Sequence, residues 1–516
     1  MSHCTSSPRG RGQAAASVLL VLLIAASQTG ATPPAPLAHE TKAVLRRISA
    51  NSLRGHLSFI ASDLLEGRGT PSRGLDLAAE YIAAQFRRAG LEPVGDDGYY
   101  QTAAMLEIGP KGNGFEMTIE DGRRRISIAH QQITPRFHNA LQISGAAIYK
   151  VDPADEAAME KLKPEDVDDK VVVTAAPDFS GLADASKFRE FRTLLRTLKR
   201  VNPKLTLMLT LDGLEELSTR LVSPEGEHSS GSMIVVRSPE ALKWYESLRN
   251  GATEATTLTL HLSEPAEDSI KLRNVIGLLR GSDAALANTY VLVTAHYDHL
   301  GMKPEGPGDR IYNGANDDGS GTVSVIEIAN ALASLQPRPR RSIVFMTFFG
   351  EEEGTLGSLY YSRHPAFPIA KTVADVNLEQ VGRTDATDGP KISQATFTGY
   401  DYSDLPRVFR LAGALTGVRV LSDRPYGDSF FVRSDNAPLA SQGVPAHTLA
   451  VAFDFPDYHK VTDDWRKIDY DNMAKVDRMV ALGVMMVADN PQPPRWNEAD
   501  AKTEPYVKAW KEHHKQ

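Results

Sequence analysis

The chain reads as an α/β protein: a mostly parallel sheet with helices on both faces, plus a β-rich inserted domain. Three observations carry that expectation. Apolar, β-branched runs at 274–279, 290–295, 342–348, 374–378 and 447–453 have the length and composition of buried strands. A helical pattern alternates with them, clearest at 322–334, where Val325, Ile328, Ala329 and Leu332 fall on one face. Such alternation is the pattern of a parallel sheet covered on both sides. Between 115 and 265 the pattern changes to short strand-like runs at 146–149, 170–175, 205–211 and 233–236, interrupted by a charged helical segment at 187–200.

Taken in order, the chain begins with a segment outside the fold. Arg9 and Arg11 precede an apolar run at 14–26, and small residues with a cleavage point after Ala31 follow it. Residues 1–31 therefore read as a signal peptide, too short in its apolar part to span a bilayer. The expectation is a secreted or periplasmic protein with no stable membrane span after cleavage. The single cysteine, Cys4, leaves with the leader, so any metal in the mature chain must be held by His, Asp and Glu.

Residues 32–114 form the helical start of the main domain. There Leu75, Ala79, Ile82 and Phe86 share a helix face that Gly90 ends. Residues 115–265 are the insert, with no His/Asp/Glu constellation of convincing spacing, and 266–490 are the core. Residues 491–516 are a polar tail containing proline, expected to be loosely held. A length of 516 residues suits two or three domains. A net charge of −8 without a Lys/Arg stripe argues against a nucleic-acid partner.

Chemistry gathers at the strand ends. The strand at 290–295 delivers His296-Tyr297-Asp298-His299, and a later loop supplies Asn316-Asp317-Asp318-Gly319-Ser320-Gly321. Glu351-Glu352, Glu379 and Tyr458-His459 each follow another strand. Side chains at the C-terminal ends of strands in an open α/β sheet share one crevice. Asp317, Glu352 and Glu379 crowded there would repel one another unless cations sat among them. Two imidazoles, His296 and His459, and these three carboxylates, one of them bridging, would give each of two ions three protein ligands. Asp298 is placed to accept the second ring N–H of His296 and fix its tautomer. Glu351 and Glu352 point apart in an extended segment, so one can bind metal while the other serves as general base.

These motifs, with Gly350-Glu351-Glu352-Glu353-Gly354 and Gly357-Ser358, resemble those of the co-catalytic di-zinc aminopeptidase family. That family includes secreted bacterial leucyl aminopeptidases, aminopeptidase Y and relatives of glutamate carboxypeptidase. The segment 60–69, Ile-Ala-Ser-Asp-Leu-Leu-Glu-Gly-Arg-Gly, resembles the family's N-terminal part, and the insert sits where many members carry a protease-associated domain. The resemblance implies a zinc-peptidase, phosphorylase/hydrolase-like fold and two zinc ions per chain, with Mn or Co conceivable. It implies that His296 and Glu379 hold one ion, Glu352 and His459 the other, and that Asp317 bridges them. Glu351 would be the general base acting on a metal-bridged water, and the Tyr458 hydroxyl would steady the tetrahedral intermediate. It further implies a cis peptide after Asp317. The substrate would be a peptide or protein N-terminus. One departure stands out: the family's pattern ends in Asp where this chain has Glu379, a longer carboxylate.

Three other readings compete. One is a glutaminyl-cyclase-like acyltransferase with a single zinc; another is carboxypeptidase or dipeptidase action on the same fold. The third is a non-catalytic receptor-like module, which arises where ligands are lost. The paired Glu351-Glu352 and the complete ligand set favour hydrolysis.

Overall fold

The computed structural model describes residues 37–515 apart from 110–114, 123, 136–139, 177–184, 211–219, 224–231, 264–265, 304–305 and 423. The expected leader and Cys4 lie outside the described residues. The main sheet is built from β1 (Tyr100–Gly109), β2 (Ala266–Leu279), β3 (Tyr290–His296), β4 (Ser342–Phe348), β5 (Thr372–Leu378), β6 (Gln394–Phe397), β7 (Arg419–Leu421) and β8 (Ala446–Ala450). Their order is β7-β6-β8-β5-β3-β4-β2-β1, then the short strand Arg220–Val222, while Glu92–Pro93 pairs with β2 off this path.

The sheet is mixed rather than mostly parallel. Four central neighbours, β8, β5, β3 and β4, run parallel. On one side β2 and β1 join antiparallel; on the other, β6 is antiparallel to β8 and β7 parallel to β6. The connections explain the departure. β1 leads out to the inserted residues and β2 returns from them along the same edge, so this pair runs in opposite directions.

Alternation along the central strands splits the core in two. Val291, Val293 and Ala295 of β3 pack with Leu57, Ile82, Phe86, Ile328 and Met479 from helices on one face. Leu292 packs with Tyr361, Leu439 and Trp496 on the other. The helix Arg73–Ala89 shows why the N-terminal stretch folds as read. Ser72 Oγ accepts from the Leu75 N–H at 3.0 Å, and Leu75, Ala79, Ile82 and Phe86 are buried. Gly90 ends the helix at φ 76°, a conformation that costs glycine little.

Residues 116–262 supply an eight-stranded sheet with cores of its own. Val171, Val173, Leu205 and Leu207 face a cluster around the fully buried Trp244. Val172 and Met208 face Leu194 and Leu198 of the helix Ala185–Val201. This stretch also lends the strand Arg220–Val222 to the main sheet, and its helix Ala185–Val201 touches the helix Arg424–Phe430 of the main domain.

The C-terminal tail is not loosely held. Trp496 is buried, donates Nε1–H to the Gly443 carbonyl at 2.8 Å and stacks on Tyr506 at 5.0 Å. The helix Glu504–His513 buries Val507 in the same cluster as Leu439 and Trp496. A few apolar anchors in an otherwise polar segment outweigh its composition.

Candidate metal centre

The four parallel strands end at one edge of the sheet and carry the site there. His296 closes β3, Glu351 and Glu352 follow β4, Glu379 follows β5 directly, and His459 lies beyond β8. Asp317 enters between β3 and the helix Gly321–Ala333, and the Asp317–Asp318 peptide is cis. All five expected ligands meet. His296 Nε2 lies 3.4 Å from Asp317 Oδ1. His459 Nε2 lies 3.2 Å from Asp317 Oδ2 and 3.3 Å from Glu352 Oε2. Ligand atoms of His296, Asp317 and Glu379 fall within 4.8 Å of one another, so the longer Glu379 reaches the site.

A second set within the same limit is His299, Asp317 and Glu352, with Asp317 common to both. His299 is not among the ligands expected from the sequence. Its Nδ1 sits 2.7 Å from Glu352 Oε1, and its ring meets that of His459 edge-on at 5.6 Å. The repeated His in His-Tyr-Asp-His was the available signal for it.

The donor set fits metal. The Nε2 atoms of His296, His299 and His459 are buried without a hydrogen-bond partner, beside carboxylates. Buried polar atoms are rarely left so, and imidazole nitrogens mixed with carboxylate oxygens suit zinc and its first-row neighbours. The protein charges tell the same story. Burial would raise Asp317, but His296 and His459 hold it well below the usual carboxylate range. Burial would also raise Glu352, yet His459 and His299 hold it at about 2. Burial would lower His459, but Glu352 and Asp317 hold it at about 11. Protons on imidazole thus balance the acids, and a divalent cation competes for the same lone pairs.

Glu351 goes the other way. Burial pushes its carboxyl well above the usual range, and Glu379, Glu352 and Asp435 add to the push against the pull of His296. It lines a pocket of 230 Å³ with Asp317, Glu352, Glu379 and Tyr458. Burial, then Asp317, Glu352 and Glu351, also push the Tyr458 hydroxyl well above its ordinary pKa, and its ring stacks on His459 at 3.9 Å.

The surrounding polar groups include several that the sequence reading missed. Asp298 was expected to hold His296 through its carboxylate. The carboxylate does face that ring, with Oδ1 3.5 Å from His296 Nδ1, and the Asp298 backbone oxygen lies beside it at 3.3 Å. The carboxylate accepts the Glu351 and Glu352 N–H groups at 3.1 and 3.3 Å, tying the loop after β3 to the loop after β4. Asp463 Oδ2 accepts from the Asn316 and Asp317 N–H groups at 2.9 and 3.2 Å. Asp318 Oδ1 accepts from Gly321 and Gln380, both at 3.0 Å, so it caps the helix and steadies the residue after Glu379. Arg68 is fully buried and donates to the carbonyls of Tyr297, Ile60, Asn313 and Gly314 at 2.6–2.9 Å. The preceding Gly67 is required by close approach: a Cβ there would sit 2.2 Å from the Gly301 carbonyl oxygen.

With this geometry in place, known proteins can be set beside it. Residues 274–484 match the model of Peptidase family M28. A probable zinc metalloprotease of Pyrenophora teres f. teres is 33% identical over 121 residues, 23% of this chain and 25% of that protein. Aminopeptidase YwaD of Bacillus subtilis is 32% identical over 130 residues, again 23% of this chain and 26% of that protein. The chain thus spans about a quarter of the length of these relatives. An aminopeptidase structure from Aneurinibacillus sp. strain AM-1 shares the fold, with a TM-score of 0.54 at 18% identity over 89% of this chain and all of that one. The matched segment carries the strands β3, β4, β5 and β8 and all five candidate ligand positions, and over 274–484 this chain is similar to peptidase family M28.

Proposed function

We propose that this chain is a zinc-dependent exopeptidase, an aminopeptidase holding two ions per chain and acting in the periplasm or outside the cell. The observation that carries the reading is the pair of candidate ligand sets, His296-Asp317-Glu379 and His299-Asp317-Glu352, sharing Asp317, with the half-buried Glu351 lining the same pocket. His296, Asp317 and Glu379 would hold one ion; Glu352, Asp317 and His459 the other, with His299 bracing Glu352. When bound, the ions supply Lewis-acid charge and make water a usable nucleophile near neutral pH. Glu351, raised above the usual carboxylate range, suits a general base that takes a proton from water and returns it to the departing amine. Tyr458 stays protonated at neutral pH and offers its O–H to the carbonyl oxygen of the bond being cut. The acid-rich wall supplies acceptors for a free ammonium. Among the described residues no helix is long and apolar enough to cross a membrane.

The test pairs metal content with a peptide series. The full chain should bind about two zinc ions, cleave peptides with a free N-terminus and tolerate C-terminal amidation. One ion per chain with no hydrolysis would favour the acyltransferase reading, and none the receptor-like one. Equal cleavage of N-acetylated peptides, with amidation abolishing it, would reverse the exopeptidase direction.

A further inference from the structure

A second cavity, of 380 Å³, shares no lining residue with the pocket at the metal centre. That volume falls at the small end of the range for ligand pockets, roughly 300–1,000 Å³. Three helices build it on one face of the sheet. Glu327 and Asn330 come from Gly321–Ala333, Ser52 from Ala50–Ile60 and Arg88 from Arg73–Ala89, with Arg47 ahead of the second.

Charge in this cavity is unbalanced at both ends. Glu327 is only 4% exposed, and its carboxylate accepts from the Ser49 N–H at 3.1 Å and the Ser52 hydroxyl at 2.7 Å. Both donors are neutral. His56 Nε2 lies 3.8 Å away, but burial and Arg88 hold that imidazole at about 4, so it carries no charge at neutral pH. Burial raises the Glu327 carboxyl, against the pull of Ser52, Ser49 and Arg88. Arg47 and Arg88 are exposed, and among the described residues neither guanidinium has a hydrogen bond or an ion pair. Arg88 acts on Glu327 only from beyond ion-pair distance. An anion alone would meet the repulsion of Glu327, and a cation alone that of the two guanidiniums. A molecule carrying both charges satisfies both ends.

We propose that this cavity is a ligand site for a small zwitterion, its ammonium on Glu327 and its carboxylate on Arg47 and Arg88. The Glu327 oxygens keep lone pairs for the ammonium. Asn330 spends Nδ2 on the Ile326 carbonyl at 3.0 Å, which leaves Oδ1 as a further acceptor. The shared chemistry has two sources: a free α-amino acid, or the two ends of a short peptide. Either would grip the helix that Asp318 caps.

Equilibrium dialysis of the zinc-loaded full chain against labelled L-alanine and labelled 5-aminopentanoate tests it. The second spaces its charges as a dipeptide does but has no bond to cut. Tighter binding of alanine assigns the amino-acid source, and of 5-aminopentanoate the peptide source. Ethylamine and propanoate each keep one of the two charges and should compete roughly tenfold or more weakly. Arg47→Met/Arg88→Met changes only exposed side chains, so it should keep the native denaturant midpoint while affinity for the zwitterion falls roughly tenfold or more. Glu327→Gln should lose the preference for alanine over propanoate. No saturable binding of either zwitterion, or propanoate binding as tightly as alanine, overturns the proposal. Binding unchanged in both variants overturns it too, because the ligand would then sit elsewhere.

Discussion

Glu351 and Glu352 are neighbours with opposite electrostatics, and the difference suits them to the different work proposed for each. Glu352 is held at about 2, because the imidazoles of His459 and His299 outweigh the effect of burial. Glu351, raised by burial and by acids around it, keeps a proton affinity that a base needs. Glu351→Gln preserves shape and removes the basic oxygen, so it should keep full metal content while kcat drops by roughly 10²–10⁴-fold. Metal analysis beside steady-state rates checks it, and near-normal turnover in the replete variant would remove Glu351 from the role. Glu379→Ala should do the reverse and release metal first, since its carboxylate lies within reach of His296 and Asp317. The five candidate ligands were legible as a group because each is a His, Asp or Glu following a strand-like run or opening a helix. His299 was not chosen, because its role depends on a 2.7 Å contact with Glu352 across the sheet edge, which no local pattern encodes.

At the scale of elements, the site is an agreement among loops, and Arg68 is where several of them are joined. It comes from the turn Asp63–Arg68, yet it binds the carbonyl of Tyr297, between His296 and Asp298, and those of Asn313 and Gly314, ahead of Asp317. Burial lowers it to about 10, with Asp298 and Asp318 opposing, so it remains charged at neutral pH. Arg68→Met would leave four buried carbonyl groups without their donor, at about 1–3 kcal/mol each before relaxation. A loss of at least about 3 kcal/mol in core stability is expected, with weaker metal retention and partial rescue by Arg68→Lys. Denaturant titration with zinc quantification decides it; unchanged stability and metal content would show that the loops hold without it. The sequence offered the segment around Arg68 only as a resemblance. Asp463 gave no signal at all, since an acid in a polar loop looks the same whether it faces water or caps the Asn316 and Asp317 amides.

For the whole molecule, the strands and the helix patterns were readable where burial is two-sided, as in β3 and β4, which are buried along their full length. Direction was harder: β2 resembles its parallel neighbours in composition, and only the return from the inserted sheet makes it antiparallel. The tail failed for a related reason, because Trp496 and Val507 dock on a surface composed by distant segments. That docking surface also contains a pH-sensitive element. His447 of β8 is fully buried, with Nδ1 donating to the Thr398 carbonyl at 2.8 Å and Nε2 accepting from Ser403 at 2.7 Å. Both ring nitrogens are satisfied in the neutral form, and the rings of Phe397, Phe431 and Trp496 surround it. Burial lowers its pKa to about 4, against 6.5 for a free imidazole. The folded state therefore refuses a proton that the unfolded chain accepts. The His447 contribution to stability is complete above pH 6.5 and is lost as pH falls toward 4, at about 1.4 kcal/mol per unit. His447→Asn lowers stability at pH 7 but removes this slope. The stability gap between native protein and variant should thus shrink by about 2 kcal/mol from pH 6.5 to 5, measured as the denaturant midpoint of the core transition. A gap that stays constant over that range would mean that His447 takes up its proton in the folded state.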